Sequence, residues 1–554
     1  MLRRVLQLVA LASSLSLRLT LAFSIPKHAQ RLDPCQLNTN EQLQIEGISS
    51  KGVRVTSIEG LRGVVATESL SSKNPVVEVN SELVLEITNT RQPSPFPDFC
   101  PQSLWESLKW DERLAFKLLH LKHIDKTSPL KPWILTLPSS FSTPFTWKDE
   151  DLEDLQYSSL KDKVLSQRTK WKTLYQQWSQ SASQSYPRDI SYSEMTWALQ
   201  CINSRAFSGP YEGSSPSERR ALLAFTGFLT TVWPLLGLGT LEQALSAAFI
   251  VTLSIFLRDI ISLRASSLKR YVVCPYVDMF NHKSNCISDA SYNYFTGKFQ
   301  LFTGDYQPND QVFVSYGKQS NDRLFQYYGF IEPDNPHDIY EFDCAFIELM
   351  FKYADELSTA IPLPQIPDPK SRLQYISNAL RKTNIQNIED ASASQSVISA
   401  ADFKCRISAR SSASEKTTCC FDDVTIRCMR AFFCSDIEWK TISAGLLESL
   451  KGLEQPLSQD TESKVLSALS ALARLELKSF PTTIDEDLRR LKALDEPVEL
   501  STKGFSKVPA AETRNSGNEA PTVTDPSGSF KDKEYSKICF RIEKKKLLWC
   551  ASEC

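Results

Sequence analysis

From Gly52 to Ile87 the chain reads as short strands. The run "GVRVTSI" alternates apolar and polar positions, "EGLRGVVAT" turns on glycine, and "PVVEVNSELVLEI" is β-branched after a proline. That is the period-2 pattern of strands bounded by turn residues. From Trp105 to His123 the apolar spacing becomes helical, and it stays so in "WKDEDLEDLQYSSLKDKVLSQRTKWKTLYQQW" (Trp147–Trp178), where acids come first and bases later. That order suits the helix dipole. A further helix is expected over Ser193–Phe207. Strand and turn return between Tyr271 and Phe330, in "YVVCPYVDMF", "SYNYFTGKFQLFTG" and "QVFVSYG". Beyond about residue 340 the pattern is helical almost to the end, as in "DVTIRCMRAFFCSDIEW" and "ESKVLSALSALARLEL". Residues 501–532 combine Ser, Thr, Pro, Gly and charge, the composition of a solvated, disordered loop. "YSKICFRIEKKKLLWC" then reads as a closing amphipathic helix.

One segment breaks the pattern. Ala221 to Leu257 carries one charge, Glu242, in 37 residues, and Pro234 with the following glycines splits it into two apolar arms. Each arm approaches the roughly 20 residues that span a bilayer. A membrane hairpin and an insertion folded onto the core or a partner are both open readings, and membrane contact through 221–257 is expected. The N-terminus has its own pattern: a basic "MLRR", an apolar stretch from Val5 to Leu17, and small residues in "LTLAFSIP". This is the form of a signal peptide over 1–23. "LAFSIP" also resembles the junction of precursors imported into complex plastids, with Lys27, His28 and Arg31 following as a transit segment would want over 24–44, and Asp33 and Glu41 against it. Plastid delivery by a bipartite leader is the expectation, with the endoplasmic reticulum or secretory route as the alternative.

Composition narrows the function classes. At 554 residues the chain exceeds one core, so two domains with insertions are expected. With 42% hydrophobic residues it buries sizeable cores, and a net charge of −2 provides no basic field for nucleic acid. The fourteen cysteines form no C-x-x-C, and reduced thiols with no metal are expected, with disulfides or zinc as the alternative.

Four short segments carry the candidate chemistry: "EGLRG" (Glu59–Gly63), "NSRAF" (Asn203–Phe207), "VDMFNH" (Val277–His282) and "VFVSYGKQSNDRLFQYYGF" (Val312–Phe330). Each alone is weak. An Asn-His pair is usually structural, and a tyrosine usually a core aromatic with a satisfied hydroxyl. Their order and spacing together resemble the SET-domain protein methyltransferases, nearest the branch with a split SET domain and a helical substrate-binding domain typified by the Rubisco large-subunit lysine methyltransferase. "FPTTIDEDLRRLKA" (Phe480–Ala493) and "FRIEKKKLL" also look like that branch's C-terminal stretches.

The resemblance implies an α+β fold: a β-rich, pseudoknotted SET domain over 45–335 with a helical insertion (about 105–200) and an apolar insertion (221–263), then an all-α substrate-binding domain over 340–500 and a closing helix over 533–554. It implies S-adenosyl-L-methionine as cofactor and a protein lysine as substrate, in a monomer. Residue by residue, it places Glu59, Gly60 and Leu61 at the cofactor turn and Arg205 on the cofactor carboxylate, which a guanidinium grips bidentately. Asn281 and His282 are implied as cofactor binders where a strand end threads beneath a later segment, with Asp278 bracing that knot. Tyr316 is implied at the methyl-transfer centre, where it also meets the cofactor. Tyr328 and Tyr292 are implied as walls of the lysine channel.

The chain departs from the family in three places. Arg62 stands between leucine and glycine at the first turn. The apolar segment replaces a short connection. "CRISARSSASEKTTCC" is a polar, cysteine-bearing insertion with no physical account from sequence. Two further readings stay open: a non-catalytic, membrane-tethered binding module of SET shape, and a protein-histidine methyltransferase.

Overall fold

The computed structural model describes residues 43–58, 61–88, 92–181, 190–209, 224–228, 230–232, 235–237, 239–264, 270–293, 296–353, 357, 368–382, 403–411, 417–443, 450–495 and 530–553. Nearly all of the expected leader, the expected loop up to residue 529, and Glu59 and Gly60 lie outside the described residues.

The N-terminal strands follow the alternation. In β1 (Ile48–Ser50), β2 (Val53–Ile58), β3 (Leu61–Ala66), β4 (Val77–Asn80) and β5 (Leu85–Thr88), inward positions such as Val53, Val55, Val77 and Val79 are buried. Strands β2 and β3 pair antiparallel from Val53 opposite Ala66 to Ile58 opposite Leu61. The later strands are β6 (Phe207–Gly209), β7 (Arg270–Val273), β8 (Asn281–His282), β9 (Ser288–Asn293), β10 (Lys298–Thr303) and β11 (Phe313–Val314). They return to the first group, giving a sheet ordered β1-β4-β10-β9 and another ordered β5-β7-β6. Both interleave strands about 200 residues apart in sequence, so neither half folds its sheets alone.

The helical insertion fills the interval. Helix α1 (Trp110–His123) has Asp111 and Glu112 in its first turn and His120, Lys122 and His123 in its last, the polarity that complements the macrodipole. Helix α2 (Ser158–Ser181) buries Trp171 and Trp178, and α3 (Tyr192–Asn203) starts at a capping box of Ser191 and Glu194. Trp105, Trp133, Trp171 and Trp178 are all buried in the same core as the strands.

Helix α4 (Leu241–Arg264) occupies the second apolar arm. It buries Ala244 and Ala248 while Leu241, Leu245, Phe249, Ile250, Leu253 and Leu257 stay exposed. Among the described residues, no helix is long and apolar enough to cross a membrane.

The C-terminal region is helical, with one correction to the all-α expectation. Strands β12 (Ile339–Ala345), β13 (Lys404–Ser411) and β14 (Thr417–Phe421) form a three-stranded sheet ordered β12-β13-β14. The cysteine-bearing insertion is this hairpin. Cys405, Ile407 and Ala409 point inward and are buried, with Ile407 opposite both Tyr340 and Phe421. The period-2 pattern is present, but its inward positions include cysteine and alanine, which carry little β signal, and its outward ones are polar.

Around this sheet stand α5 (Asp423–Phe433), α6 (Gln459–Ser479), α7 (Ile484–Asp495) and α8 (Phe530–Ser552). The last of these is a central post rather than a surface amphipathic helix. Lys544 and Lys545 are 0% exposed. Lys544 Nζ reaches Asp322 (2.5 Å) of the strand-rich half and Asp338 (2.8 Å), which immediately precedes β12. Lys545 and Arg541 share Asp487 of α7 at 2.6 and 2.9 Å. Lys537 meets Asp154 of the insertion at 2.9 Å. A cluster of basic residues thus enters the interior because each charge finds a carboxylate.

Candidate active site

Strand β8 runs parallel to β11, Asn281 opposite Phe313 and His282 opposite Val314. Just beyond, the Lys283 N–H donates to the Val314 carbonyl (3.2 Å), while the Ser284 N–H and hydroxyl donate to the Glu332 carboxylate. Residues 281–284 are therefore held by both ends of the stretch 313–332. On the other flank, the Asn281 amide donates to the Arg62 carbonyl on β3 at 3.0 Å. The approach is close. A Cβ at Gly63 would lie 3.0 Å from the Asn281 amide nitrogen and 3.0 Å from that of Gln311. A larger residue there would have to displace these side-chain ends and that of Ile58, 2.9 Å away.

His282 knits this crossing with its ring. Nδ1 accepts the Tyr316 N–H at 3.0 Å, so in the neutral ring the proton sits on Nε2. Nε2 lies 3.3 Å from the Ser284 hydroxyl and 3.4 Å from Glu332. Burial favours the neutral Glu332 carboxyl, but hydrogen bonds from His282 and Ser284 outweigh it and hold its pKa below the ordinary value. Both ring nitrogens of His282 are thus engaged inside the protein.

The tyrosines assemble above. Tyr316 stacks on His282 with ring centroids 4.9 Å apart and on Tyr328 at 4.8 Å. Its hydroxyl donates to the Phe280 carbonyl at 2.7 Å. Tyr328 ends a π-helical turn (Leu324–Tyr328) closed by Gly329 at φ 79°, a left-handed conformation that favours glycine. Burial raises the pKa of both phenols, and for Tyr316 the neighbouring Tyr328 adds to it. Both stay protonated at neutral pH. With its proton committed to Phe280, the Tyr316 oxygen keeps lone pairs to accept hydrogen bonds.

A charged cluster lies on the other side. Asp278 stands in the tight turn Val277–Met279, after Tyr276 at φ 72°. A bulky residue at positive φ is strained, and here it is held by burial and by its hydroxyl bond to the Val53 carbonyl (3.2 Å). Asp278 Oδ2 accepts the Trp133 indole N–H (3.1 Å) and faces Arg205 Nε at 3.4 Å. Arg205 Nη1 donates to Ser204 Oγ (2.8 Å), and its guanidinium lies 5.9 Å from the Phe141 ring centre. The Arg62 guanidinium donates to the Thr136 carbonyl. Burial raises the Asp278 pKa, opposed by Arg205 and Arg62. Burial, and next the Arg205 charge, lower Arg62 to about 10.

The fold thus gathers Arg205, Asp278, Asn281, His282, Tyr316 and Tyr328. Leu61 opens β3 at 39% exposure, and Glu59 and Gly60 fall outside the described residues. Tyr292 sits on β9 with its ring 4.9 Å from Phe299 and the Arg270 guanidinium 5.3 Å over it, contacts that tie it to the four-stranded sheet. Sequence reasoning missed Arg62, Trp133, the Phe280 carbonyl and Glu332. Only Arg62 had a signal, as the residue out of place in its turn.

This arrangement has known counterparts. Residues 426–515 match the family model described as Rubisco LSMT substrate-binding. SET domain-containing protein 4 of Homo sapiens is 24% identical over 246 residues, covering 43% of this chain and 44% of that protein. Actin-histidine N-methyltransferase of Mus musculus is 22% identical over 467 residues, covering 81% of this chain and 62% of that protein. The chain spans about half the length of the curated relatives it matches. The solved SET domain of LSMT bound to MeLysine and AdoHcy superposes with a TM-score of 0.53 at 17% identity, covering 94% of this chain and 91% of the other. Rubisco LSMT bound to AdoMet gives 0.52 at 16%, with the same coverage. The chain therefore has a SET-domain fold like that of Rubisco LSMT, and its residues 426–515 match the Rubisco LSMT substrate-binding model.

Proposed function

We propose that this protein is an S-adenosylmethionine-dependent protein methyltransferase acting on a lysine side chain. The observation that carries the reading is the crossing of 281–284 with 313–332, which sets the Tyr316–Tyr328 pair beside the cationic cluster of Arg205 and Arg62. The residues present fit the donor. Arg205 Nε is buried without a hydrogen-bond partner among the described residues, and a guanidinium is the natural grip for an amino-acid carboxylate. When bound, S-adenosylmethionine supplies an electrophilic methyl group on a sulfonium, transferred in line to the amine.

The chain's own residues then have three tasks. The crossing holds both binding segments in one rigid frame, so that positioning supplies much of the rate. The Tyr316 oxygen, its proton on Phe280, accepts hydrogen bonds from the polarised methyl group or the amine and so orients them. The stacked rings of Tyr316 and Tyr328 exclude water. A lysine amine with a pKa near about 10.4 must be neutral to attack, and an apolar aromatic wall disfavours the ammonium.

The test is incubation of purified protein with labelled methyl donor and an organelle extract, followed by mass spectrometry of the modified residue. Label on lysine is expected. Donor binding without label transfer to any protein overturns the catalytic reading and favours a binding module. Label on histidine supports a second reading, which rests on the match to actin-histidine N-methyltransferase across 81% of this chain. Plastid delivery is a further proposal, supported by the "LAFSIP" junction. Residues 1–44 fused to a fluorescent reporter should enter the organelle, and retention in the endoplasmic reticulum rejects it.

A further inference from the structure

Arg62 is out of place in its turn, and its position explains why. It leaves β3 and crosses to the helical insertion, where its guanidinium donates to the Thr136 carbonyl. Its own carbonyl receives the Asn281 amide at 3.0 Å. Trp133, three residues before Thr136, donates to Asp278 at 3.1 Å, and Asp278 Oδ2 lies 3.4 Å from Arg205 Nε. Arg62, Arg205 and Asp278 thus share one neighbourhood, and the charges of all three act on the Tyr316 phenol. Among the described residues this group carries one net positive charge, Arg62 and Arg205 against Asp278. The Arg205 side chain is 10% exposed and that of Asp278 1%, and Arg205 Nε and Asp278 Oδ1 have no hydrogen-bond partner among the described residues. One arginine already neutralises Asp278. A second cation in the same shielded place repels the first, and the lowered pKa of Arg62 reflects burial and then that repulsion. Such an arrangement is costly unless an anion completes it.

We propose that Arg62 and Arg205 form a two-guanidinium seat for a single ligand carboxylate, the amino-acid end of the methyl donor, with Asp278 holding the pair together. The inference rests on the methyltransferase reading. It makes Arg62 a determinant of donor affinity particular to this chain's Glu-Gly-Leu-Arg-Gly turn.

Calorimetry tests it with two probes, S-adenosylhomocysteine and its analogue lacking the carboxylate, on the full-length wild type, R62M and R62K. A charged hydrogen bond of this kind corresponds to roughly 10- to 100-fold in affinity. The wild type should bind S-adenosylhomocysteine at least about 10-fold more tightly than the analogue. R62M should weaken S-adenosylhomocysteine by about 10-fold or more and leave the analogue within about 3-fold, so the preference for the carboxylate collapses. R62K keeps the charge without the fork and should fall between them. Equal weakening of both probes by R62M means Arg62 only shapes the insertion through Thr136, and overturns the proposal. So does an unchanged preference. If R62M does not fold, R62K decides by the same ratio. A wild type that binds neither probe rejects the methyltransferase reading itself, a different result from a wild type that binds both with no role for Arg62.

Discussion

Tyr316 has three engagements: its N–H on His282, its hydroxyl proton on Phe280, and its ring between His282 and Tyr328. Two of them use the main chain or the ring and survive removal of the hydroxyl. Y316F should therefore fold and bind donor within about 3-fold of wild type, while kcat falls by about 10²–10³, the usual loss when one polar group at a reacting centre is removed. Calorimetry and single-turnover rates separate the two effects. Because burial keeps Tyr316 a phenol, a rise of kcat/KM with pH belongs to the substrate amine, and no loss from tyrosine ionisation should enter below about pH 10. A general-base tyrosine would instead give an alkaline rise that Y316F abolishes.

The elements show where buried charge decides stability. In α8, Lys544 compensates Asp322 and Asp338 at once. K544M removes the nearest cation from two interior carboxylates, leaving Asp322 with Lys163 at 3.7 Å, and should cost about 3–5 kcal/mol, read from the urea midpoint at pH 7. Glu543, buried beside Lys546 at 2.7 Å, is pushed up to about 7, burial outweighing the lysine. Its folded pKa lies above the ordinary carboxyl value, so between about pH 4.5 and 7 the folded chain holds a proton that the unfolded chain has lost. Stability from this group is fully present below that window and declines as pH rises through it, by as much as about 3 kcal/mol. E543Q should flatten this part of the profile in urea titrations at pH 4.5 and 7.5. An unchanged slope means Glu543 ionises normally.

The same elements show how legible the fold was. The N-terminal strands and the insertion helices announce themselves by period, as in Val53 and Val55 or the capped α3. The hairpin β13–β14 did not, because Cys405 and Ala409 fill its inward positions. The interior place of α8 was hidden for the opposite reason. A basic run such as "FRIEKKK" normally marks a solvated face, and only partners remote in sequence, Asp154, Asp322, Asp338 and Asp487, make it interior.

Across the whole molecule, one apolar core joins the SET strands, the insertion and the C-terminal sheet, and α8 ties the three by ion pairs. The exposed face of α4 stands outside this unity. Phe249 is 66% exposed and Leu253 40%, so F249S/L253S removes no core contact. The double variant should melt within about 2 °C of wild type and self-associate less in light scattering, because large exposed apolar patches drive association. A large drop in Tm would mean that the face is packed in solution.

Periodicity was sufficient for the N-terminal strands and the insertion helices, because hydrophobic spacing and turn chemistry are local properties of the chain; the SET architecture and the candidates Arg205, Asp278, Asn281, His282, Tyr316 and Tyr328 came from the resemblance carried by the four short motifs and their order. The coordinates were needed for everything that depends on convergence: His282 as a brace whose ring is fully engaged, Arg62 beside Arg205 and Asp278, Tyr292 on its sheet, and basic α8 in the interior. The physical reason is that a side chain's burial, charge environment and hydrogen-bond partners are set by residues tens to hundreds of positions away, and the crossing of 281–284 with 313–332 creates those neighbours only once the chain has closed on itself.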